Sequence, residues 1–207
     1  SNGGRVNGAA AYALKARALL YRASKLNNPD GNTAYWANAA QAAADFITQN
    51  NKQSYPYRLY NTGNPENDYY ECFTTNPVYN NEIILARSVW NTNQVEKVFL
   101  PVGFTGSFSG NGRTNPTQNL VDAYEMSNGK RIDENGSTYD AANPYKDRDP
   151  RLAQTIFYQG MMWGRADKEE RRAIDVRYNS DADKGVDYTS AMGGTYTGYY
   201  LKKFVNN

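Results

Sequence analysis

The chain has 207 residues, enough for one domain or two small ones, and a formal net charge of only +2. It contains no histidine and one cysteine, Cys72, which excludes histidine-dependent catalytic dyads, triads and zinc sites within this chain. No block of Lys and Arg forms a basic stripe for phosphates, so the sequence argues against nucleic-acid binding. No apolar run approaches the roughly 20 residues that span a bilayer.

Two helices joined by a turn are predicted over residues 7–50, with Thr33 as the expected cap of the second helix. Apolar residues recur there at helical spacing in two stretches. The predicted inner faces are Ala9, Ala13, Ala16 and Leu20 in the first helix and Trp36, Ala40, Ala43 and Ile47 in the second. The 34-residue interval from Ala10 to Ala44 matches one tetratricopeptide (TPR) unit, which needs a further surface to cover its other face.

The rest of the chain is dominated by polar residues and tyrosine. Only 33 of the 207 residues are Leu, Ile, Val or Phe, whereas 18 are Tyr, so we expect an ordered core in which tyrosine rings replace aliphatic side chains and Cys72 is buried. Residues 55–81 lack a helical period, residues 82–87 predict a short strand, and residues 88–115 predict a long loop.

Two later helices are predicted from proline signals, one capped by Asn115 before Pro116 and one capped by Asp149 before Pro150. Residues 155–158 and 196–205 predict strands. The expected fold is therefore mainly α, with a TPR-like helical hairpin, a large irregular loop-rich region and a few short strands.

Five stretches together resemble the SusD/RagB family of Bacteroidetes outer-membrane lipoproteins. They are GRV (4–6) leading into ALKARALLY (13–21), NNEII (80–84), PTQNLVDAYEM (116–126), DRDPRL (147–152) and GYYLKKF (198–204). Their order and spacing resemble the family's central region and cover nearly the whole chain.

The resemblance implies TPR-like helix pairs with a loop-rich face and a lipid anchor outside the outer membrane. It also implies a SusC-like TonB-dependent transporter as partner and non-catalytic binding of oligosaccharides, without a cofactor. The family's lipidated cysteine, first helical pairs and C-terminal helices have no counterpart here. We therefore expect residues 1–207 to be a central fragment, with the hairpin at 7–50 and a glycan-binding part at 51–207.

Sugar capture requires an aromatic ring for the flat C–H face and polar side chains for the hydroxyls. Residues 76–115 supply both kinds of side chain. The residues predicted to bind carbohydrate are Tyr79, Trp90, Asn91, Phe104, Phe108 and Arg113. Burial in the core is the alternative for each ring, and for Trp163 core packing is the favoured interpretation.

Two other functions stay open. One is a structural adaptor that docks the transporter through the Ala-rich hairpin without touching a glycan. The other is a glycoside hydrolase, which needs two carboxylates about 5–10 Å apart in a cleft. Acidic residues cluster at 66–71 and at 133–134, but no motif gives any pair a catalytic role. Residues 147–151 are interpreted as a helix cap with arginine pairing, and residues 179–190 lack the glycine and glutamate that an EF-hand requires.

Overall fold

The computed structural model describes residues 5–76, 80–86, 93–106, 109–164, 170–190 and 193–205. The chain divides into two compact units. Unit 1 comprises Ser1–Gly63 and Thr75–Trp90, and unit 2 comprises Asn64–Thr74 and Asn91–Asn207. Within the described residues, no helix is both long and apolar enough to cross a membrane.

Unit 1 contains a helical hairpin of α1 (Gly8–Ala23) and α2 (Thr33–Asn51), which confirms the predicted helix pair. Each helix begins after an asparagine whose side-chain oxygen accepts a hydrogen bond from a first-turn N–H group. Asn7 accepts from Ala10 at 2.9 Å, and Asn32 accepts from Ala34 at 3.0 Å. The cap of α2 is therefore Asn32, one residue before the predicted Thr33.

The two helices meet through alanine methyl groups. The buried apolar residues described in unit 1 are Ala10, Ala23, Ala39 and Ala42. The predicted inner face of α2 is wrong by one residue, because Trp36 is 51% exposed and Ile47 57% exposed. The stripe that faces inward consists instead of Tyr35, Ala39, Ala42 and Phe46. Both stripes place two alanines between larger residues, so residue size does not decide between them. Ala39 and Ala42 are the alanines that are buried, and they set the register.

Residues 82–86 do not form the predicted strand. The side-chain carboxylate of Glu82 instead accepts a hydrogen bond from the backbone N–H of Tyr60 at 2.7 Å, and the Asn80 side chain accepts one from the N–H of Glu82 at 2.9 Å. The N–H of Arg58 donates to the carbonyl of Asn81 at 3.2 Å. These local bonds hold residues 80–82 against the segment that follows α2.

Unit 2 contains four short helices among its described residues: α3 (Pro65–Thr74), α4 (Gln94–Phe99), α5 (Gln118–Asp122) and α6 (Pro150–Thr155). The sequence predicts the last two, whereas α3 and α4 fall in stretches predicted to be irregular. In α3 the rings of Tyr69 and Phe73, four residues apart, lie in contact with their centroids 5.1 Å apart. Aromatic residues thus occupy the helical positions at which a sequence pattern usually shows aliphatic ones.

Of the N-caps predicted for α5 and α6, the structure confirms only the second. Asp149 caps α6, as predicted, by accepting from the N–H of Arg151 at 2.9 Å. The predicted cap of α5 is wrong, because Thr117 caps that helix. Asn115 instead uses its amide to donate to the carbonyl of Gly112 at 2.9 Å and to that of Tyr199 at 3.3 Å. Its side-chain oxygen, the atom that a cap would use, accepts from the N–H of Tyr196 at 3.3 Å, so a distant backbone group can take an asparagine that looks like a helix cap.

The described strands form four antiparallel pairs. They are β1 (Ile156–Phe157) with β8 (Tyr200–Leu201), β2 (Met162–Trp163) with β3 (Arg172–Ala173), β4 (Tyr178–Ser180) with β5 (Asp183–Lys184), and β6 (Thr189–Ser190) with β7 (Gly193–Gly194). The first pair lies in the two segments predicted as strands. The predicted fold class, helical and loop-rich with a few short strands, is confirmed.

The core of unit 2 consists of two clusters. The larger contains Leu100, Phe104, Phe157, Trp163, Ile174, Val176, Tyr200 and Val205, and the smaller contains Val121, Leu152, Ile156 and Tyr199. Beside the smaller cluster, the ring of Tyr145 stacks on Tyr158 at 4.0 Å and its hydroxyl donates to that of Tyr199 at 3.3 Å. Burial and this hydrogen bond raise the pKa of Tyr145. Tyrosine thus supplies both packing and hydrogen bonds.

Two buried charged residues of unit 2, Arg148 and Asp187, each have several hydrogen-bond partners. Arg148 donates to the carbonyls of Pro144, Val121 and Tyr124 at 2.7–2.9 Å. The fully buried carboxylate of Asp187 accepts two bonds from Arg172, at 2.6 and 2.8 Å. The predicted burial of Cys72 in α3 is confirmed, since it is 4% exposed.

Candidate functional site

A pocket in unit 1 lies where α1 begins and α2 ends. We call it the hairpin-end pocket, and its volume is about 430 Å³, within the range typical of small-molecule sites. It is lined by Asn7, Gly8, Ala9, Tyr12, Phe46, Gln49, Asn50, Gln53, Tyr55, Pro56, Tyr57, Asn80 and Asn81. A helix start, a helix end and two later segments of unit 1 therefore converge on one cavity.

One wall of the pocket is fixed by the ends of the two helices. Asn7 caps α1 with its side-chain oxygen and uses its amide nitrogen to donate to the hydroxyl of Tyr57 at 3.0 Å. Asn50, near the end of α2, accepts from the backbone N–H of Tyr57 at 2.8 Å and donates to its carbonyl at 2.8 Å. Three groups of Tyr57 are thus held, so the segment after α2 has a defined position at the pocket.

The aromatic residues of the pocket differ in exposure. Tyr57 and Phe46 are partly buried, whereas Tyr55 is 92% exposed and Tyr12 is 36% exposed. Tyr55 is joined through Pro56 to the anchored Tyr57, and proline restricts the backbone between them. The pocket therefore combines a ring open to solvent with a rigid support beside it.

The polar residues of the pocket are amides. They are Asn7, Gln49, Asn50, Gln53, Asn80 and Asn81. A side-chain amide offers both a donor and an acceptor, and a hydroxyl group also does both. Together with the exposed ring of Tyr55, this lining suits a ligand that has flat C–H faces and many hydroxyls.

A second recess lies in unit 2, with a volume of about 720 Å³. Its lining residues are Asn93, Gln94, Glu96, Lys97, Leu100, Gly106, Ser109 and Asn111. It falls in the loop predicted to bind carbohydrate, but its described lining contains no aromatic ring. The hairpin-end pocket therefore fits the expected chemistry better.

Two of the six predicted site residues, Phe104 and Arg113, are among the residues that the structure describes. Phe104 is 5% exposed, lies in the larger core cluster and has the guanidinium of Arg172 over its ring at 3.9 Å, so its expected exposure is wrong. The ring is buried because it packs with distant residues of that cluster, such as Phe157 and Ile174, which the polar sequence around Phe104 does not reveal. Arg113 is exposed, and its backbone N–H donates to the carbonyl of Val98 at 2.8 Å. The other four, Tyr79, Trp90, Asn91 and Phe108, lie outside the described residues.

None of the residues described as lining the hairpin-end pocket is among the six predicted to bind carbohydrate. The sequence Tyr55-Pro56-Tyr57 directly after a helix was available as a signal, because it puts two rings at a rigid turn. Asn80 and Asn81 lie within residues 76–115, the stretch predicted to supply the side chains for sugar capture, and both line the pocket. Trp163 was assigned to the core, and this is confirmed by its 3% exposure.

The acidic residues at 133–134 and Asp149 form local ion pairs. Glu134 accepts from Lys130 at 2.7 Å, and this bond lowers the pKa of Glu134. Asp133 pairs with Arg131 at 3.0 Å. Asp149 pairs with Arg151, as the cap-and-arginine interpretation predicts, and the pKa of Asp149 is lowered. Across the described ranges of the chain, no group of three or more Cys, Asp or Glu side chains is arranged to hold a metal ion.

The SusD family model matches residues 36–207. The chain is similar to the crystal structure of a SusD-like protein from Bacteroides fragilis NCTC 9343, with a TM-score of 0.64 and 24% identity, covering 99% of this chain and 38% of that one. It is also similar to the selenomethionine structure of BT4246, with a TM-score of 0.70 and 19% identity, covering 98% and 46%. It thus spans less than half of either structure, and no curated protein matches it. Because the family model covers most of its length, the chain belongs to the SusD family.

Proposed function

We propose that the chain is part of a non-catalytic glycan-binding protein of the bacterial cell surface. In this proposal it captures oligosaccharides and passes them to a SusC-like TonB-dependent transporter in the outer membrane, where a lipid anchor holds the whole protein. Membership of the SusD family supports the general role. The observation that carries it for this chain is the hairpin-end pocket, where the exposed ring of Tyr55 adjoins six amides.

Capture requires only positioning. Tyr55 stacks on the C–H face of one sugar unit, while the amides of Gln49, Gln53 and Asn81 exchange hydrogen bonds with its hydroxyls. Tyr57 and Asn50 hold the wall against which the sugar rests. No covalent bond changes, and no cofactor is needed.

The residues predicted from the loop remain part of the proposal. Tyr79 directly precedes Asn80, which lines the pocket, so Tyr79 is the predicted residue nearest to it in sequence. Trp90, Asn91 and Phe108 stay predicted glycan contacts. Arg113 stays a predicted contact as well, whereas Phe104 belongs to the core.

Isothermal titration against soluble polysaccharides tests the proposal, with Tyr55→Ala compared with wild type. Tyr196→Ala is the matched control, because Tyr196 is 96% exposed, belongs to unit 2 and is not among the residues described as lining the pocket. We expect at least one glycan to bind wild type and the control, and to bind Tyr55→Ala about tenfold more weakly. Circular dichroism checks that the variants are folded. Absence of binding to every glycan by folded wild-type chain contradicts the proposal.

One observation favours the adaptor as a second candidate. Large apolar side chains on the hairpin are exposed, with Leu14 at 69%, Ile47 at 57% and Trp36 at 51%. Apolar surface of this kind is found at protein–protein contacts. Co-purification with the transporter that is lost in Leu14→Ser, combined with no glycan binding, is the result that supports the adaptor. Release of reducing sugar from any tested glycan is the result that supports a hydrolase.

A further inference from the structure

We infer that the hairpin-end pocket selects uncharged oligosaccharides over glycans that carry carboxylate or sulfate groups. The inference deepens the proposed function and rests on it. Among the described residues that line the pocket, none carries a formal charge. The part of the lining that the structure describes consists of six amides, three tyrosines, one phenylalanine, one proline, one glycine and one alanine.

The hydrogen-bonding capacity of this lining matches hydroxyls better than anions. Asn7 and Asn50 use both groups of their amides within the chain, and the side-chain oxygen of Asn80 accepts from Glu82, so the amides that meet a ligand are those of Gln49, Gln53 and Asn81. Each of these three has a carbonyl oxygen as well as an NH2 group, and tyrosine hydroxyls both donate and accept. A sugar hydroxyl satisfies either partner by rotating. A carboxylate or sulfate group only accepts, so it offers no donor to the amide oxygens of Gln49, Gln53 and Asn81 and is repelled by them. An anion that loses water there without a cationic partner is destabilised.

The helix ends at the pocket do not supply the missing charge. The start of α1, at Gly8 and Ala9, carries the partial positive charge of a helix N-terminus. The end of α2, at Gln49 and Asn50, carries the opposite partial charge and lines the same cavity. Because the two ends adjoin one volume, their fields oppose each other. A lone helix N-terminus favours an anion, but this paired arrangement favours neither sign.

The cations nearest in sequence to the pocket lie outside its lining. Lys52 precedes Gln53, Arg58 follows Tyr57, and Arg5 lies two residues before Asn7; all three are exposed to solvent. Exposed cations attract polyanions weakly, and salt screens this attraction. The affinity of a glycan held by these cations falls as salt is added, whereas the affinity of a glycan held by stacking and hydroxyl contacts does not. Salt dependence therefore separates the two modes.

The test is titration of the 207-residue chain with two sets of glycans. The uncharged set is pullulan, xyloglucan, galactomannan and mixed-linkage β-glucan, and the anionic set is polygalacturonate and chondroitin sulfate. Each titration is made at about 0.05 M and about 0.5 M NaCl, which brackets the range over which surface charges become screened. Wild type, Tyr55→Ala and the matched Tyr196→Ala are compared.

We expect binding in the uncharged set that changes less than about twofold with salt, weakens about tenfold in Tyr55→Ala and is unchanged in Tyr196→Ala. Tight binding of an anionic glycan that persists in high salt and is lost in Tyr55→Ala overturns the inference but leaves glycan capture standing. Binding of an uncharged glycan that Tyr55→Ala does not weaken also overturns it, because the site then lies elsewhere. Failure of all six glycans to bind overturns both the inference and the proposed function.

Discussion

The two units of this chain are stabilised in different ways. In unit 1 the buried apolar side chains among the described residues are four alanines, and several large apolar residues of the hairpin, such as Leu14, Trp36 and Ile47, are exposed. In unit 2 the buried side chains include Phe157, Trp163 and Tyr200. Hydrophobic stabilisation follows the apolar area removed from water, so unit 2 gains far more per buried residue. Unit 1 instead gains a precise helix-to-helix fit, and that fit defines the hairpin-end pocket.

The largest expected effect is that of Phe157→Ala in unit 2. Phe157 is fully buried and its ring meets that of Trp163 edge to face, with centroids 4.7 Å apart. Loss of the ring leaves a cavity, so we expect the free energy of unfolding of unit 2 to fall by about 3–5 kcal/mol. Hydrogen–deuterium exchange in residues 156–163 measures the loss. An equal loss of protection in residues 8–51 would show that the two units do not unfold separately.

Replacement of Arg148 in unit 2 comes next. Its guanidinium donates hydrogen bonds to three backbone carbonyls, and the residue as a whole is 7% exposed. Arg148→Met removes the donors but keeps much of the stem, so we expect a loss of about 2–3 kcal/mol in urea denaturation. Arg151→Met is the control, since Arg151 is exposed and its pairing with Asp149 is worth less than about 1 kcal/mol. Equal effects of the two changes would contradict the role of Arg148.

The fit in unit 1 is tested by Ala42→Leu. Ala42 is 2% exposed at the contact of the helices, so the added atoms force them apart. We expect a loss of about 1–3 kcal/mol and weaker glycan binding, because both helix ends line the pocket. Ala43→Leu adds the same atoms at an exposed neighbouring position. If Ala43→Leu proved the more harmful change, the observed register of α2 would be wrong.

The smallest effect is expected from acid. The ion pair with Arg177 holds the pKa of Asp175 in unit 2 at about 2, below its ordinary value of about 3.8. A lowered pKa in the folded state gives stability above the unfolded-state pKa, and this stability is lost as the pH falls toward about 2. Both side chains are partly exposed, so we expect less than about 1 kcal/mol. The urea midpoint of Asp175→Asn, compared with wild type at about pH 5 and about pH 2, measures it; an equal difference at both values would argue against the pair.

The sequence predicts features that depend on neighbours along the chain. The hairpin, the Asp149 cap and the β1–β8 segments follow from helical spacing, a cap-and-proline signal and alternation. The register of α2 could not be predicted, because stripes that begin at Tyr35 and at Trp36 are both apolar and only the close approach of α1 selects the first. Helix α3 was missed because aromatic side chains replace its aliphatic stripe.

The candidate site was predicted less well than the fold, for a physical reason. The pocket is lined by Asn7, Tyr55 and Asn80, which are far apart in sequence. Side-chain hydrogen bonds between distant positions, such as that from Asn7 to Tyr57, bring these segments together. No spacing rule encodes such a meeting. Composition could predict the kind of side chain at the site, rings with amides, but not which rings remain at the surface. Phe104 shows the difference, since its loop-like flanks suggested exposure and its ring is in the core.

The buried position of Cys72 has a practical consequence. It is the only thiol in the chain, and it lies on the inner side of α3 in unit 2. A thiol-reactive dye added to the native protein therefore labels a single atom, and only when that helix opens. The labelling rate therefore reports how often the structure around α3 opens. Mass spectrometry measures this rate from the mass of the attached dye, even in a mixture of proteins and without an engineered cysteine.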